Sequence, residues 1–272
     1  MKAKEKIQKI TFLFIVPTLN SFNELPKLIE SIMEQEYKDW KIIFVDGKSL
    51  EIHKTWLKQY CTKDQRLINI DQEENAQGIY NAMNLGLKFA INNYWTFFIG
   101  SDDWLYSSNS LKEIAKNIKI NKENNLSLVI TNGNIINIKS KKIIRRNKVP
   151  SYNLINRKIF SKLLFRGYVP AHQTVCFSSN ILKNIEEYSE DFLLASDLDM
   201  FLRLSFSKSL GNILFINKTC FNIGAGGISS RKTFRRFKEV IKIYLNYYKL
   251  KFIVPLFLRY FKKLISRFIN SI

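Results

Sequence analysis

Trp95-Thr96-Phe97-Phe98-Ile99-Gly100-Ser101-Asp102-Asp103-Trp104 is the stretch on which the fold turns. Its first half is an unbroken run of aromatic and β-branched residues of strand length. Without polar alternation, such a run reads as a strand covered on both faces. It ends in Gly-Ser and two adjacent carboxylates. In an open α/β sheet the ligand crevice lies outside the carboxyl ends of the strands. Two acids side by side there repel unless donors or a cation neutralise them. Two readings follow: an acidic turn leading into the next helix, or a site for a hard cation such as Mg²⁺, which takes carboxylate and phosphate oxygens.

Working outward, Thr11 to Val16 is a second apolar run, ending in Pro17-Thr18-Leu19-Asn20. Leu25, Leu28, Ile29, Ile32 and Met33 recur at helical spacing after it, with Asn23 as the expected N-cap. Trp40 to Val45 forms another strand, closed by Asp46-Gly47-Lys48-Ser49, and Arg66 to Ile70 a short third one. Gly78 to Asn92 reads as a helix leading into the opening strand. The alternation of strand and helix predicts right-handed crossovers and a mostly parallel sheet with helices on both faces. Polar residues then gather on one edge: Thr18 and Asn20, Asp46, and Asp102 with Asp103.

These motifs carry a resemblance. Pro17-Thr18-Leu19-Asn20, Val45-Asp46-Gly47-Lys48-Ser49, Gln77-Gly78-Ile79-Tyr80-Asn81-Ala82-Met83-Asn84-Leu85-Gly86 and Gly100-Ser101-Asp102-Asp103 resemble, in order, the motifs of family 2 glycosyltransferases with the GT-A fold. The bacterial surface-polysaccharide branch, similar to colanic acid biosynthesis transferases, is the nearest match. The resemblance spans roughly Phe12 to Ser230. It implies donor contacts from Thr18, Asn20, Asp46, Asn84 and Asp102, with Asp103 as the ligand of Mg²⁺ or Mn²⁺. Two departures stand out: Asp46 is followed by Gly47 where many members have a second acid, and Gly100 replaces the first acid of the Asp-x-Asp pattern.

The second half is less regular. Leu126 to Thr131 and Ile135 to Ile138 read as two strands around the turn signal Asn132-Gly133-Asn134, with a basic loop from Lys139 to Lys148. His172 and Gln173 follow. A lone histidine suits a structural hydrogen bond, whereas the resemblance places this pair at the acceptor or sugar site. In Ser196-Asp197-Leu198-Asp199 either Ser196 or Asp197 could cap a helix. The resemblance makes Asp197 the base that deprotonates the acceptor hydroxyl, with Asp199 turned elsewhere on the helix. Phe221 to Ser229 is glycine-rich but lacks P-loop spacing, so it reads as a flap or a plain connection.

Composition limits the remaining choices. With 46% hydrophobic residues in 272, the chain can bury a large core. Cys61, Cys176 and Cys220 are odd in number and far apart, suggesting neither a zinc site nor a disulfide framework and fitting a reducing compartment. Neither a signal peptide nor a run of ~20 apolar residues is evident. The net charge of +20 is uneven: twelve basic residues from Arg231 onward face one acid, Glu239, which puts +11 in the tail. There, cations interleave with apolar residues three and four apart, and Pro255 is expected to break the helix. An interfacial amphipathic helix and a helix pair packed on the domain both fit that pattern. The division expected is a catalytic domain over 1–230, with a nucleotide-sugar half at about 10–105 and an acceptor half at about 106–230, and a basic helical region over 231–272.

The expected activity is an inverting, metal-dependent transfer of a sugar from a nucleotide-sugar donor to a lipid-linked or growing cell-surface glycan. The chain would act in the cytoplasm, with 231–272 on the anionic inner face of the cell membrane. A nucleic-acid-binding protein would explain the tail but leave the strand-end acids without a role, so no nucleic-acid partner is expected. A glycosidase needs two carboxylates flanking its bond but does not predict the nucleotide-like strand ends. A catalytically inactive relative has only the loss of an acid at Gly100 in its favour.

Overall fold

The computed structural model describes residues 9–73, 76, 78–90, 94–225 and 233–269. In chain order its elements are β1 (Thr11–Thr18), α1 (Leu25–Met33), β2 (Trp40–Asp46), α2 (Glu51–Cys61), β3 (Leu67–Asp71), α3 (Ile79–Ala90), β4 (Tyr94–Phe98), β5 (Trp104–Leu105) and α4 (Ser110–Ile120). There follow β6 (Leu126–Asn137), β7 (Ile143–Asn147), β8 (Leu154–Ile155), α5 (Arg157–Phe165), β9 (Val175–Ser178), α6 (Ser179–Lys183), α7 (Ser196–Phe206), β10 (Asn212–Ala225), α8 (Thr233–Tyr248) and α9 (Ile253–Ile269).

One sheet runs in the order β3-β2-β1-β4-β9-β6-β10-β5, with β7 on β6 and β8 on β10. The first four strands are parallel, and β6 and β10 form a second long parallel pair. The antiparallel strand β9 joins the two parts by pairing with both β4 and β6. Apolar side chains fill both faces, as an uninterrupted hydrophobic strand requires. One core holds Phe12, Phe14, Phe44 and Phe97 with Leu28 of α1 and Leu111 of α4. The other holds Phe98, Phe177 and Phe201 with Met83 of α3 and, from α8, Val240, Ile243 and Tyr244. The expected α/β fold with a sheet covered on both faces is thus present.

Several local expectations are corrected. Helix α1 starts at Leu25 with Glu24 at the N-cap and no side-chain cap bond, so Asn23 does not cap it. Asn132-Gly133-Asn134 is no turn, because β6 runs straight through it. Asn132 donates to Asn217 at 3.0 Å and Asn134 to Asn222 at 3.1 Å, so β10 satisfies these amides across the sheet. The expected loop over Lys139 to Lys148 contains β7, which pairs with β6. Helix α7 has Ala195 at its N-cap without a side-chain bond, so neither Ser196 nor Asp197 acts as the cap. The glycine-rich stretch is described as far as Ala225, and the rest of it lies outside the described residues.

The tail is a helix pair folded onto the domain. Val240, Ile243 and Tyr244 are buried, and Phe252, Leu256 and Tyr260 pack on the same core. Glu239, the one acid of the tail, accepts from the backbone N–H groups of Leu193 and Leu194 just ahead of α7. The helix ends at Tyr248 and resumes at Ile253, which leaves Pro255 in the first turn of α9, where a missing N–H costs nothing.

Candidate active site

Parallel pairing sets the carboxyl ends of β1, β2 and β4 side by side, with Thr18 opposite Asp46 and Ile15 opposite Phe98. The loops after β1 and β2 are laced together there. Ser49 donates its Oγ and backbone N to the two oxygens of Asp46 at 2.5 and 2.9 Å. The Asn20 backbone N donates to Ser49 Oγ at 2.7 Å, and Asn20 Oδ1 accepts from the Leu50 N–H at 2.8 Å. Thr18 meets Ser21, and its Oγ1 lies 3.2 Å from Nε2 of the buried His53. That same nitrogen is 3.5 Å from Asp46 Oδ1. Burial holds the His53 imidazole below its usual range, against the opposing pull of Asp46.

Thr18, Asn20 and Asp46 therefore do meet at the expected edge. Asp46 is fully enclosed with both oxygens engaged, so it braces the loop from beneath, while Asn20 stands exposed at the rim. Asn84 is engaged with the segment ahead of α7. Its amide clamps the backbone of Tyr188, donating to the carbonyl at 2.9 Å and accepting from the N–H at 2.7 Å.

After β4 the chain turns at Gly100, and the two acids separate in environment. Asp103 is 1% exposed. Its Oδ2 accepts from the Gly100 N–H at 2.6 Å, its Oδ1 from the Gly224 N–H at 3.0 Å, and the Gln173 side chain adds a further bond. Burial, and then the charge of Asp102, push its carboxyl well above the usual range. Asp102 remains half-buried and partly open, also raised, chiefly by burial and then by Glu24. A side chain at Gly100 would come within 2.8 Å of Asp102 Oδ1, and one at Gly224 within 2.6 Å of Asp102 Oδ2. Both glycines thus leave room for this carboxylate. Asp103, the expected ligand of the cation, is held by these three donors, whereas Asp102 is the more accessible carboxylate of the pair.

No cluster of three or more His, Cys, Asp or Glu side chains able to hold a metal exists among the described residues. A cation here would rest on Asp102 and on oxygens brought by a ligand, a donor set that suits Mg²⁺ or Mn²⁺ completed by phosphates.

The segment 167–174 links this end of the site to α7. Gln173 bonds Asp103, while the adjacent His172 is under the influence of Asp197. His172 is buried among Phe98, Phe177, Tyr188 and Phe201, with ring centroids 5.6 to 5.9 Å away. Its Nε2 lies 2.7 Å from the Tyr188 hydroxyl, and the ring also bonds the Phe98 backbone carbonyl. Burial brings its imidazole down to about 4. His172 is accordingly a neutral pin of this wall, and Gln173 is the member of the pair that reaches the acids.

Asp197 stands half-buried in the first turn of α7, with its backbone N 3.4 Å from the Tyr80 hydroxyl. Asp199 points away. Arg203 Nε donates to its Oδ2 at 2.8 Å and the Tyr247 hydroxyl of α8 to its Oδ1 at 2.9 Å. Two residues on a helix are ~200° apart, which is why Asp199 serves the tail interface while Asp197 faces elsewhere. His53, Ser49, Tyr80, Tyr188 and Gln72 complete the polar framework and were not legible as site residues. Ser49 and Tyr80 lay inside the motifs that carry the resemblance.

Residues 13–184 match the family described as Glycosyl transferase family 2, and the chain belongs to that family. A PGL/p-HBAD biosynthesis glycosyltransferase from Mycobacterium bovis BCG is 34% identical over 105 residues, which is 38% of this chain and 40% of that protein. Glycosyltransferase GlyA of Streptococcus pneumoniae serotype 4 is 40% identical over 91 residues, 34% of this chain and 13% of that protein. The matched region is thus well under half of either relative. Among solved structures, Staphylococcus aureus TarS 1-349 in complex with UDP-GlcNAc superposes with a TM-score of 0.65 at 19% identity, covering 89% of this chain and 68% of that one. The mannosyltransferase PcManGT from Pyrobaculum calidifontis, in complex with GDP-Man and Mn²⁺, gives 0.63 at 13% identity, over 93% of this chain and 70% of that one. At such identities the likeness is one of fold.

Proposed function

We propose that the chain moves a sugar from a nucleotide-sugar donor to an acceptor hydroxyl, with inversion at the anomeric carbon. The carrying observation is that adjacent residues answer to two carboxylate centres: Gln173 bonds Asp103 of the Asp102–Asp103 turn, and the charge of Asp197 acts on His172. The nucleotide lies over the laced β1 and β2 loops, at the rim formed by Asn20. Its diphosphate lies at Asp102. A divalent cation bound there supplies positive charge against the leaving diphosphate, in keeping with the fold relative that holds GDP-Man and Mn²⁺. Asp197 accepts the proton of the acceptor hydroxyl as that oxygen bonds to the anomeric carbon. The bond from this carbon to the diphosphate oxygen breaks, and its electron pair leaves with the nucleoside diphosphate. Asp103 and Gln173 hold the turn that aims Asp102.

The acceptor in this reading is a lipid-linked or growing surface glycan, met at an anionic membrane. No helix among the described residues is long and apolar enough to cross a bilayer. Instead, Ile253, Phe257, Phe261 and Leu264 form an exposed row on α9, continued by Leu250, with Lys249, Lys251 and Lys262 exposed beside it. An apolar row flanked by cations suits the headgroup boundary of an anionic bilayer. The deciding experiment is a donor screen that follows nucleoside diphosphate release with and without Mn²⁺. Stimulated release from one or a few nucleotide sugars is expected. No release from any of them, with parental folding intact, would refute the reading.

A further inference from the structure

The inner face of α9 carries a charge that the transfer mechanism above does not use. Helix α9 reaches the domain at Gly167, where an added Cβ would stand 2.5 Å from the Arg259 backbone N. That close approach, with Gly167 at φ +79°, carries the Arg259 side chain inward, to 5% exposure. Among the described residues its Nε has no hydrogen-bond partner, and Nη1 reaches only the buried Tyr244 hydroxyl at 3.4 Å. Among the described residues Arg259 forms no ion pair. Tyr244, Asp197 and Tyr260 are the groups that act on it electrostatically.

A guanidinium removed from water without a bonded anion is costly, and buried charges are as a rule paired. A planar fork with free donors also matches a phosphate in two-point contact. We infer that Arg259 is the anion receptor of the acceptor subsite, taking a phosphate group carried by the acceptor. This rests on the reading of Asp197 as the base. In an inverting displacement the base and the leaving diphosphate stand on opposite sides of the anomeric carbon. Asp197 is the carboxylate whose charge acts on Arg259, whereas the diphosphate end is assigned to Asp102. Phe257 and Phe261, each two positions from Arg259, project from the opposite side of α9. One helix therefore offers an apolar row outward and a phosphate receptor inward. The acceptor class assigned is a phosphate-bearing glycan carrier or polymer.

The test is calorimetric titration of the full chain with its donor pocket first filled by UDP and Mn²⁺. Geranyl diphosphate stands for a lipid-linked carrier, and glycerophosphoglycerol for a phosphodiester polymer. Wild-type protein should bind at least one, and the one it prefers identifies the source. Arg259→Met should weaken that binding tenfold or more and leave UDP affinity within twofold. Arg259→Lys, which keeps the buried charge but not the fork, should show a partial loss at parental thermal stability, and it carries the test if the methionine variant fails to fold. Unchanged probe affinity in the folded variants overturns the inference, as does a parallel fall in UDP affinity, which would place Arg259 on the donor. Wild-type protein that binds UDP but neither probe also overturns it. Wild-type protein that does not bind UDP marks instead the failure of the donor reading.

Discussion

Replacing His172 by glutamine should flatten the acid side of the stability curve by an amount that follows from its surroundings. Burial is the dominant influence on this imidazole and brings it down to about 4, from an ordinary value of 6.5, against the opposing pulls of Asp197 and the Phe98 carbonyl. Between those two values the unfolded chain holds a proton that the folded chain refuses. Stability therefore rises with pH across the window and is withdrawn on acidification. Each unit of separation is worth about 1.4 kcal/mol, so acidifying through the window costs the wild-type protein about 3 kcal/mol from this residue alone. The variant lacks the titrating ring but keeps an amide that can meet the Tyr188 hydroxyl. It should be the less stable protein at pH 7.5, having lost aromatic packing, with the gap closing by about 3 kcal/mol toward pH 4. Urea unfolding of both proteins at half-unit steps reads the difference directly, cancelling the carboxylates they share. Parallel curves would refute the argument that burial wins. A gap that widens on acidification would mean that Asp197 holds His172 as a cation, making the pair a salt bridge.

Three other outcomes are expected. Asp197→Asn should retain UDP binding and lose at least ~10²-fold in turnover at saturating donor; Asp199→Asn should instead lower thermal stability, because it breaks the Arg203 and Tyr247 contacts, and the reverse pattern would reassign the base. Asp102→Asn should cost at least tenfold in Mn²⁺-dependent UDP affinity by calorimetry. Asp103→Asn should mainly lower stability, by about 1–3 kcal/mol, since its amide cannot accept from both N–H groups that the carboxylate holds; loss of Mn²⁺ dependence in the second variant alone would return the ligand role to Asp103. Phe257→Glu combined with Phe261→Glu should abolish sedimentation with anionic vesicles at unchanged melting temperature, as both residues are exposed, and undiminished sedimentation would rule out the outer row of α9 as the membrane face.

Hydrophobic period and order alone determined the N-terminal half of the fold. Unbroken apolar runs at Phe12 to Val16, Trp40 to Val45 and Trp95 to Ile99 demand cover on both faces, and helices between them allow only parallel crossovers. Once those strands align, the polar residues at their ends must share an edge, so Thr18, Asp46 and the Asp102–Asp103 pair were legible as neighbours. Tertiary structure alone decided the surroundings of each. Adjacent acids look alike in sequence, yet Gly224 from β10 arrives to donate to Asp103 and leaves Asp102 open. Asn132 and Asn134 carry a turn signal that yields to β10, because an amide partner across the sheet outweighs a local preference. The tail was legible as amphipathic, but apolar residues line two of its sides, and only packing could sort them. Tyr244 and Leu256 meet the core, whereas Phe257 and Phe261 meet solvent. Arg259 follows Leu256 by three positions and so falls on the inner side. That spacing is the one sequence signal of its burial, and it is masked among twelve basic residues of like appearance. A charge count sums over a helix without regard to direction; burial, and with it chemistry, depends on direction.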